Sequence, residues 1–111
     1  MTQTATIEPE SRLEKDPHLM PGQIADMAGT AAERISDLVS ETPLYTSEAL
    51  SQGQVQSELK DETTQPGGSF KDRGSGNFVA YYTENGEVFF VTTSAGNHGR
   101  GVARAAMELG A

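Results

Sequence analysis

The feature that most restricts the fold is a short unbroken apolar run, Val88-Phe89-Phe90-Val91, inside Glu87–Thr93. A strand wet on one face alternates apolar and polar residues, because successive side chains point to opposite sides. A strand covered on both faces does not alternate. The run is framed by a turn signal, Glu84-Asn85-Gly86, and by a glycine-rich stretch, Ser94 to Gly101 (SAGNHGRG). Beyond it Val102, Ala105, Ala106 and Leu109 recur at helical spacing, and Gly110 is a natural helix stop. A two-sided strand that passes through a loop into a helix predicts an α/β chain: an open, mainly parallel sheet with flanking helices.

The remaining elements fit that class. From Gly22 to Val39 the residues Ile24, Met27, Ala28, Ala31, Ile35, Leu38 and Val39 form one apolar stripe at helical spacing. Thr42-Pro43 ends that helix, since the residue before proline avoids the α region. Leu44-Tyr45 reads as a short extended piece, and Val55 to Lys60 alternates as a short strand. Asp61 to Gly68 is turn-rich, and Ser69 is placed to cap a second helix whose first turn holds Lys71, Asp72 and Arg73. Gly74 and Gly76 each weaken that helix by up to ~1 kcal/mol relative to Ala; such glycines mark a close approach by a neighbour. Met1 to Pro21 is polar, carries Glu8, Glu10, Glu14 and Asp16, and predicts a flexible acidic arm in which His18 is solvated. The division is therefore residues 1–21 as arm and residues 22–111 as one folded unit. With 35% apolar residues and a mean hydropathy of −0.49, its core must be small.

Charge and residue usage exclude several functions. A net charge of −8 argues against nucleic acid, whose phosphates need clustered Lys and Arg. Such acidity serves solubility or suits a salt-adapted proteome. No apolar run of about 18 residues exists to cross a membrane, and no signal peptide is visible; the expected location is the cytoplasm. The absence of Cys removes disulfides, thiol nucleophiles and thiolate metal sites, and no metal is expected. The lysines are only Lys15, Lys60 and Lys71, which makes each more informative.

Two loops can carry chemistry. Ser94-Ala95-Gly96-Asn97-His98-Gly99 sits between the two-sided strand and a helix, where open α/β folds bind ligands. Backbone N–H groups at a helix start attract phosphate or carboxylate, and the glycines admit close approach. An ordinary strand-to-helix turn would look similar. The second loop places Lys71 in the first turn of a helix, the end where a cation is electrostatically disfavoured. There an amine gains nucleophilic character, although a solvated lysine is the simpler reading of the residues alone.

Taken together, Thr42-Pro43-Leu44, Glu58-Leu59-Lys60, Gln65 to Gly74 (QPGGSFKDRG) and Ser94 to Gly99 (SAGNHG) resemble, in order and spacing, the pyridoxal-phosphate enzymes of fold type II, the tryptophan synthase beta-like superfamily. The resemblance runs from about Thr42 to Ala111 and is strongest to threonine and serine dehydratases and threonine synthase. It implies pyridoxal 5'-phosphate as cofactor, held covalently by Lys71, which also shuttles the substrate Cα proton. It implies that Asn97 hydrogen-bonds the ring oxygen, that Phe70 flanks the ring, and that Ser94, Ala95, Gly96 and His98 grip the carboxylate of a small amino-acid substrate. Asp72 and Arg73 are expected to form ion pairs near the helix start.

The resemblance implies an ammonia-lyase of amino-acid metabolism, a threonine dehydratase-like enzyme that eliminates water from a hydroxy amino acid. Ser-Phe-Lys-Asp-Arg-Gly looks more like threonine synthase, which keeps a β-replacement enzyme open. Family members continue with a glycine-rich phosphate loop and a Ser or Cys facing the pyridine nitrogen, neither of which has a counterpart before Ala111. The expectation is a fragment, marginally stable and little active alone, with a homo-oligomer or a complementing C-terminal fragment as its partner. The competing expectations are a non-catalytic remnant and a small anion-binding module that uses the Ser94 loop alone.

Overall fold

The computed structural model describes residues 20–111. The acidic arm and His18 lie outside them, apart from Met20 and Pro21. Pro21 opens the first helix, α1 (Pro21–Arg34), where its fixed φ and missing N–H cost nothing. The backbone N–H of Met20 donates to Gln23 Oε1 at 2.8 Å and fixes that start. β1 (Leu44–Thr46) and β2 (Glu58–Lys60) follow, then a single 3₁₀ turn (Glu62–Thr64), α2 (Lys71–Glu84) and α3 (Asn97–Leu109).

The helix expected to reach Val39 stops at Arg34. Beyond it the chain tightens into turns, with the N–H of Leu38 donating to the Ile35 carbonyl at 2.8 Å. This swings Ile35 and Leu38 inward, where both are buried against Ala80 of α2. The first half of the stripe has nothing beneath it: Ile24 and Met27 are exposed, and no residue of α1 is buried. The strand expected over 55–60 shortens to 58–60, because Gln52 and Val55 pair across a tight turn in which Gly53 has φ +60°. α3 ends as expected, with Gly110 left-handed at φ 71°.

The sheet is a correction. Among the described residues it has two strands, antiparallel, with Tyr45 opposite Leu59. The mainly parallel sheet is absent there, and Glu87–Thr93 forms no ladder. A strand exists only with a neighbour to receive its N–H and C=O groups, and no described segment offers one. Phe90 alone turns inward, while Val88, Phe89 and Val91 are 70%, 80% and 82% exposed.

The core is built on two sides of α2. Ala80 meets Ile35 and Leu38, whereas Val79, its neighbour in sequence, meets Val102 and Ala105 of α3. Consecutive helical residues project about 100° apart, so one helix serves both clusters. The two glycines noted in α2 divide as well. A Cβ on Gly76 would lie 3.6 Å from Leu38 Cδ1, so this residue lets the 35–38 turn come close, whereas Gly74 faces open space. Arg104 of α3 donates to the Leu38 carbonyl at 2.7 Å and ties the two halves of the core together.

α2 and α3 run side by side in the same direction. Ser75 lies against Gly101, and four residues on Val79 lies against Val102 and Ala105. Both helix N-termini therefore sit at one end of the molecule.

Candidate cofactor site

That shared end carries the residues singled out in the sequence. Lys71 is the first residue of α2 and Asn97 the first of α3. Lys71 is exposed, and its Nζ lies 5.0 Å from the centre of the exposed Phe70 ring. Its amine enters no ion pair among the described residues. Lys60, by contrast, is committed: its Nζ donates to the Thr42 carbonyl at 2.6 Å.

The turn that delivers Lys71 is held from within. Gly68 N–H donates to the Gln65 carbonyl at 2.8 Å, and Gly68 has φ +79°, a value glycine adopts freely. Ser69 Oγ accepts from the Lys71 N–H at 3.3 Å, but Phe70 rather than Ser69 holds the N-cap position of α2, and no side chain caps that helix. Asp72, 3% exposed, reaches back to accept from the Gly67 N–H at 2.5 Å. The carboxylate fills the space where a side chain on residue 67 would stand, so only glycine fits there. Asp72 was expected to form an ion pair. It forms none among the described residues, and its Oδ1 is buried without a hydrogen-bond partner.

Arg73 does form an ion pair, and a larger frame than the sequence indicated. Its Nε and Nη2 donate to the two carboxylate oxygens of Glu62, each at 2.8 Å. Thr42 Oγ1 donates to Glu62 Oε1 at 2.5 Å, and Gln65 Nε2 to Glu62 Oε2 at 3.3 Å. Gln65 also clasps Ser40, giving its amide to the Ser40 carbonyl and receiving the Ser40 N–H. The bond from Arg73, followed by that from Thr42, holds the Glu62 carboxyl down at about 2, and Glu62 in turn raises Arg73. The sequence points to Thr42 only as the end of the first helix and to no role for the Glu62 and Gln65 side chains. The available signal was one acid and one base on either side of the Pro-Gly-Gly turn, a spacing that only a closed turn makes into a pair.

On the other helix, Ser94 to His98 are all exposed. Gly96 precedes α3 with no side chain capping it, so the first-turn N–H groups face outward. Ser94 Oγ accepts from the Gly96 N–H at 3.2 Å, and Gly99 packs on Ser94 so closely that a Cβ would lie 3.2 Å from the Ser94 carbonyl oxygen. The loop is thus folded tightly onto the helix start.

The donor set suits the aldehyde and ring end of pyridoxal phosphate. A carbonyl needs an uncommitted amine, which is Lys71; a ring oxygen needs a directed amide, which Asn97 can supply; a carboxylate needs unsatisfied N–H groups, which open α3.

Comparison with known proteins agrees. A family model described as pyridoxal-phosphate dependent enzyme matches residues 35–111. The human L-serine dehydratase/L-threonine deaminase is 46% identical over 70 residues, 62% of this chain and 21% of the relative. A Pseudomonas L-threo-3-hydroxyaspartate ammonia-lyase is 38% identical over 81 residues, 71% of this chain and 25% of the relative. The biosynthetic L-threonine dehydratase of Mycobacterium leprae is 39% identical over 98 residues, 86% of this chain and 23% of the relative. No solved structure gives a significant match. The chain belongs to the pyridoxal-phosphate dependent enzyme family, an α/β family. It spans between about a fifth and a quarter of the length of these relatives. No described helix is long and apolar enough to cross a membrane, and no described cluster of His, Asp or Glu could hold a metal ion.

Proposed function

We propose that this chain carries the cofactor-tethering part of a cytoplasmic ammonia-lyase of the threonine or serine dehydratase type, acting on a small hydroxy amino acid. The observation that supports this most is the uncommitted amine of Lys71 at the start of α2, beside the helix that begins with Asn97. Lys71 would hold the cofactor through its side-chain amine and, as a free amine, would move the proton at the substrate Cα. When bound, the cofactor ring supplies an electron sink for the electrons left on Cα. Asn97 orients the ring through its oxygen, and Phe70 packs beside it. Ser94, Ala95, Gly96 and His98, with the open N–H groups of α3, hold the substrate carboxylate. Residues 22–111 form the first portion of a catalytic domain whose sheet is mainly parallel. Glu87–Thr93 supplies one strand of it, a reading supported by its apolar residues on both faces. The edges of that strand are open to a further strand, from the same polypeptide or from a partner.

Borohydride reduction of the cofactor-loaded full chain, followed by peptide mapping, is the direct test. The label is expected on Lys71, and Lys71→Ala should remove both the label and the visible absorbance of bound cofactor. Labelling of Lys15 or Lys60, or of nothing, would overturn the reading. Ammonia release from threonine or serine separates the lyase from a replacement enzyme, which retains the nitrogen. Ser69 to Gly74 (SFKDRG) is the one stretch that favours the replacement reading.

A further inference from the structure

The contact between α2 and α3 lies one turn below both proposed cofactor ligands. Ser75 follows Lys71 by four residues, and Gly101 follows Asn97 by four. Residues four apart share a helix face, so the Ser75–Gly101 contact stands beneath the Lys71 and Asn97 positions together. Ser75 is 2% exposed and Gly101 is buried. The Ser75 hydroxyl donates back to the Lys71 carbonyl at 2.6 Å, and in doing so occupies the place where a side chain on residue 101 would begin. A Cβ there would also lie 3.2 Å from Ser75 Cβ and 3.5 Å from the Lys71 carbonyl oxygen. Rotating the hydroxyl away would not open the contact. Ser75 Cβ would remain too close, and the hydroxyl would lose its partner in a buried place.

We propose that Gly101 and Ser75 are positioning residues: the close contact of the Ser75 side chain with the bare backbone of Gly101 fixes the distance between the Lys71 amine and the Asn97 amide, and so decides whether one cofactor can engage both. The inference rests on the reading of Lys71 and Asn97 given above. Neither residue touches the cofactor; both act through the separation of the two helix starts. A methyl group on residue 101 would push those starts apart by about 1 Å with the Ser75 hydroxyl in place, and by a few tenths of an ångström with it rotated away.

The test uses the full chain, whose lack of cysteine lets a pair of nitroxide labels be placed at the exposed positions 74 and 100. Label separation is measured by electron paramagnetic resonance in the parent, in Gly101→Ala and in Gly101→Ala with Ser75→Gly. Pyridoxal phosphate is titrated into the same proteins without labels and followed by visible absorbance. Gly101→Ala is expected to widen the separation, shift the absorbance maximum and weaken cofactor binding about tenfold or more, since misplacement on the ångström scale is costly at a pre-organised site. The added Ser75→Gly should bring spacing, spectrum and affinity back together. An unchanged separation in Gly101→Ala, a double variant as wide as the single, or a widened pair with undisturbed cofactor binding would each overturn the proposal. If Gly101→Ala does not fold, the double variant decides: parental spacing supports the contact, and a second unfolded protein refutes it. A parent that takes up no cofactor sinks the functional reading instead, and the label separations then judge the spacing claim alone.

Discussion

The approach to Lys71 and the approach to Asn97 are built from opposite materials. Lys71 follows a turn framed by Thr42, Glu62, Gln65 and Arg73, four side chains that partner one another, with Asp72 Oδ1 beside them left without a partner. Asn97 follows Glu87–Thr93, of whose apolar residues only Phe90 reaches the core, against α2 and α3, while an open cleft of about 410 Å³ separates the segment from α3. Polar satisfaction is local and directional, so a few dozen residues can complete it. A two-sided strand needs backbone partners at its edges and cover on both faces, which no short stretch of its own sequence provides. The half of the site that presents the amine is thus finished by its own segment. The half that presents the amide depends on whatever pairs with residues 87–93.

Breaking the frame should have the largest effect. Arg73→Ala strands the Glu62 carboxylate among Thr42 and Gln65 with its bidentate partner gone. The loss is expected to be about 2–3 kcal/mol, below that of a fully buried pair because Arg73 is 40% exposed. Denaturant unfolding measures it, and a change under about 0.5 kcal/mol, the range of ordinary surface substitutions, would show the frame to be ornamental.

Acid should act on the same frame more gently. The Glu62 carboxyl is held below its ordinary 4.5, at about 2. Its folded form therefore binds a proton less readily than its unfolded form, and its stabilisation is full above about 4.5 and is lost as the pH falls toward 2. Glu62→Gln should flatten this window in a pH series of unfolding midpoints. An equal acid slope in the variant would assign the loss to other carboxylates.

These contrasts also explain which parts of the molecule were legible in advance. Gly110 as a helix stop was readable because it acts on its immediate neighbours. Lys71 and Asn97 stand out in the sequence through motif and spacing. Their placement at one end does not, since it follows from the Ser75–Gly101 contact between segments far apart in sequence. The partnership of Glu62 with Arg73 was missed for the same reason. Apolar patterning runs ahead of the packing among the described residues in two places. Ile24 and Met27 continue the stripe of Ile35 and Leu38, and Val88 to Val91 reads as a buried strand, yet burial requires a second surface, and periodicity states only which face would use one.

The smallest effect sharpens the comparison from the other side. Within 88–91 only Phe90 contacts the core, against Val79, Val102 and Ala105, with its ring 6.1 Å from that of Phe78. Phe90→Ala should therefore cost about 1–2 kcal/mol, the share of a partly buried aromatic side chain. Val91, two residues from Thr93 and 82% exposed, buries almost nothing, so Val91→Ser should change the stability of the single chain by less than about 0.5 kcal/mol. The same substitution should behave differently in any assembly that pairs residues 87–93 with another strand. A polar side chain would then enter a covered face, and dissociation measured by sedimentation should shift although monomer unfolding does not. If Val91→Ser destabilises the single chain as much as Phe90→Ala, residues 87–93 are already covered in solution. The contrast between a finished and an unfinished half would then fail.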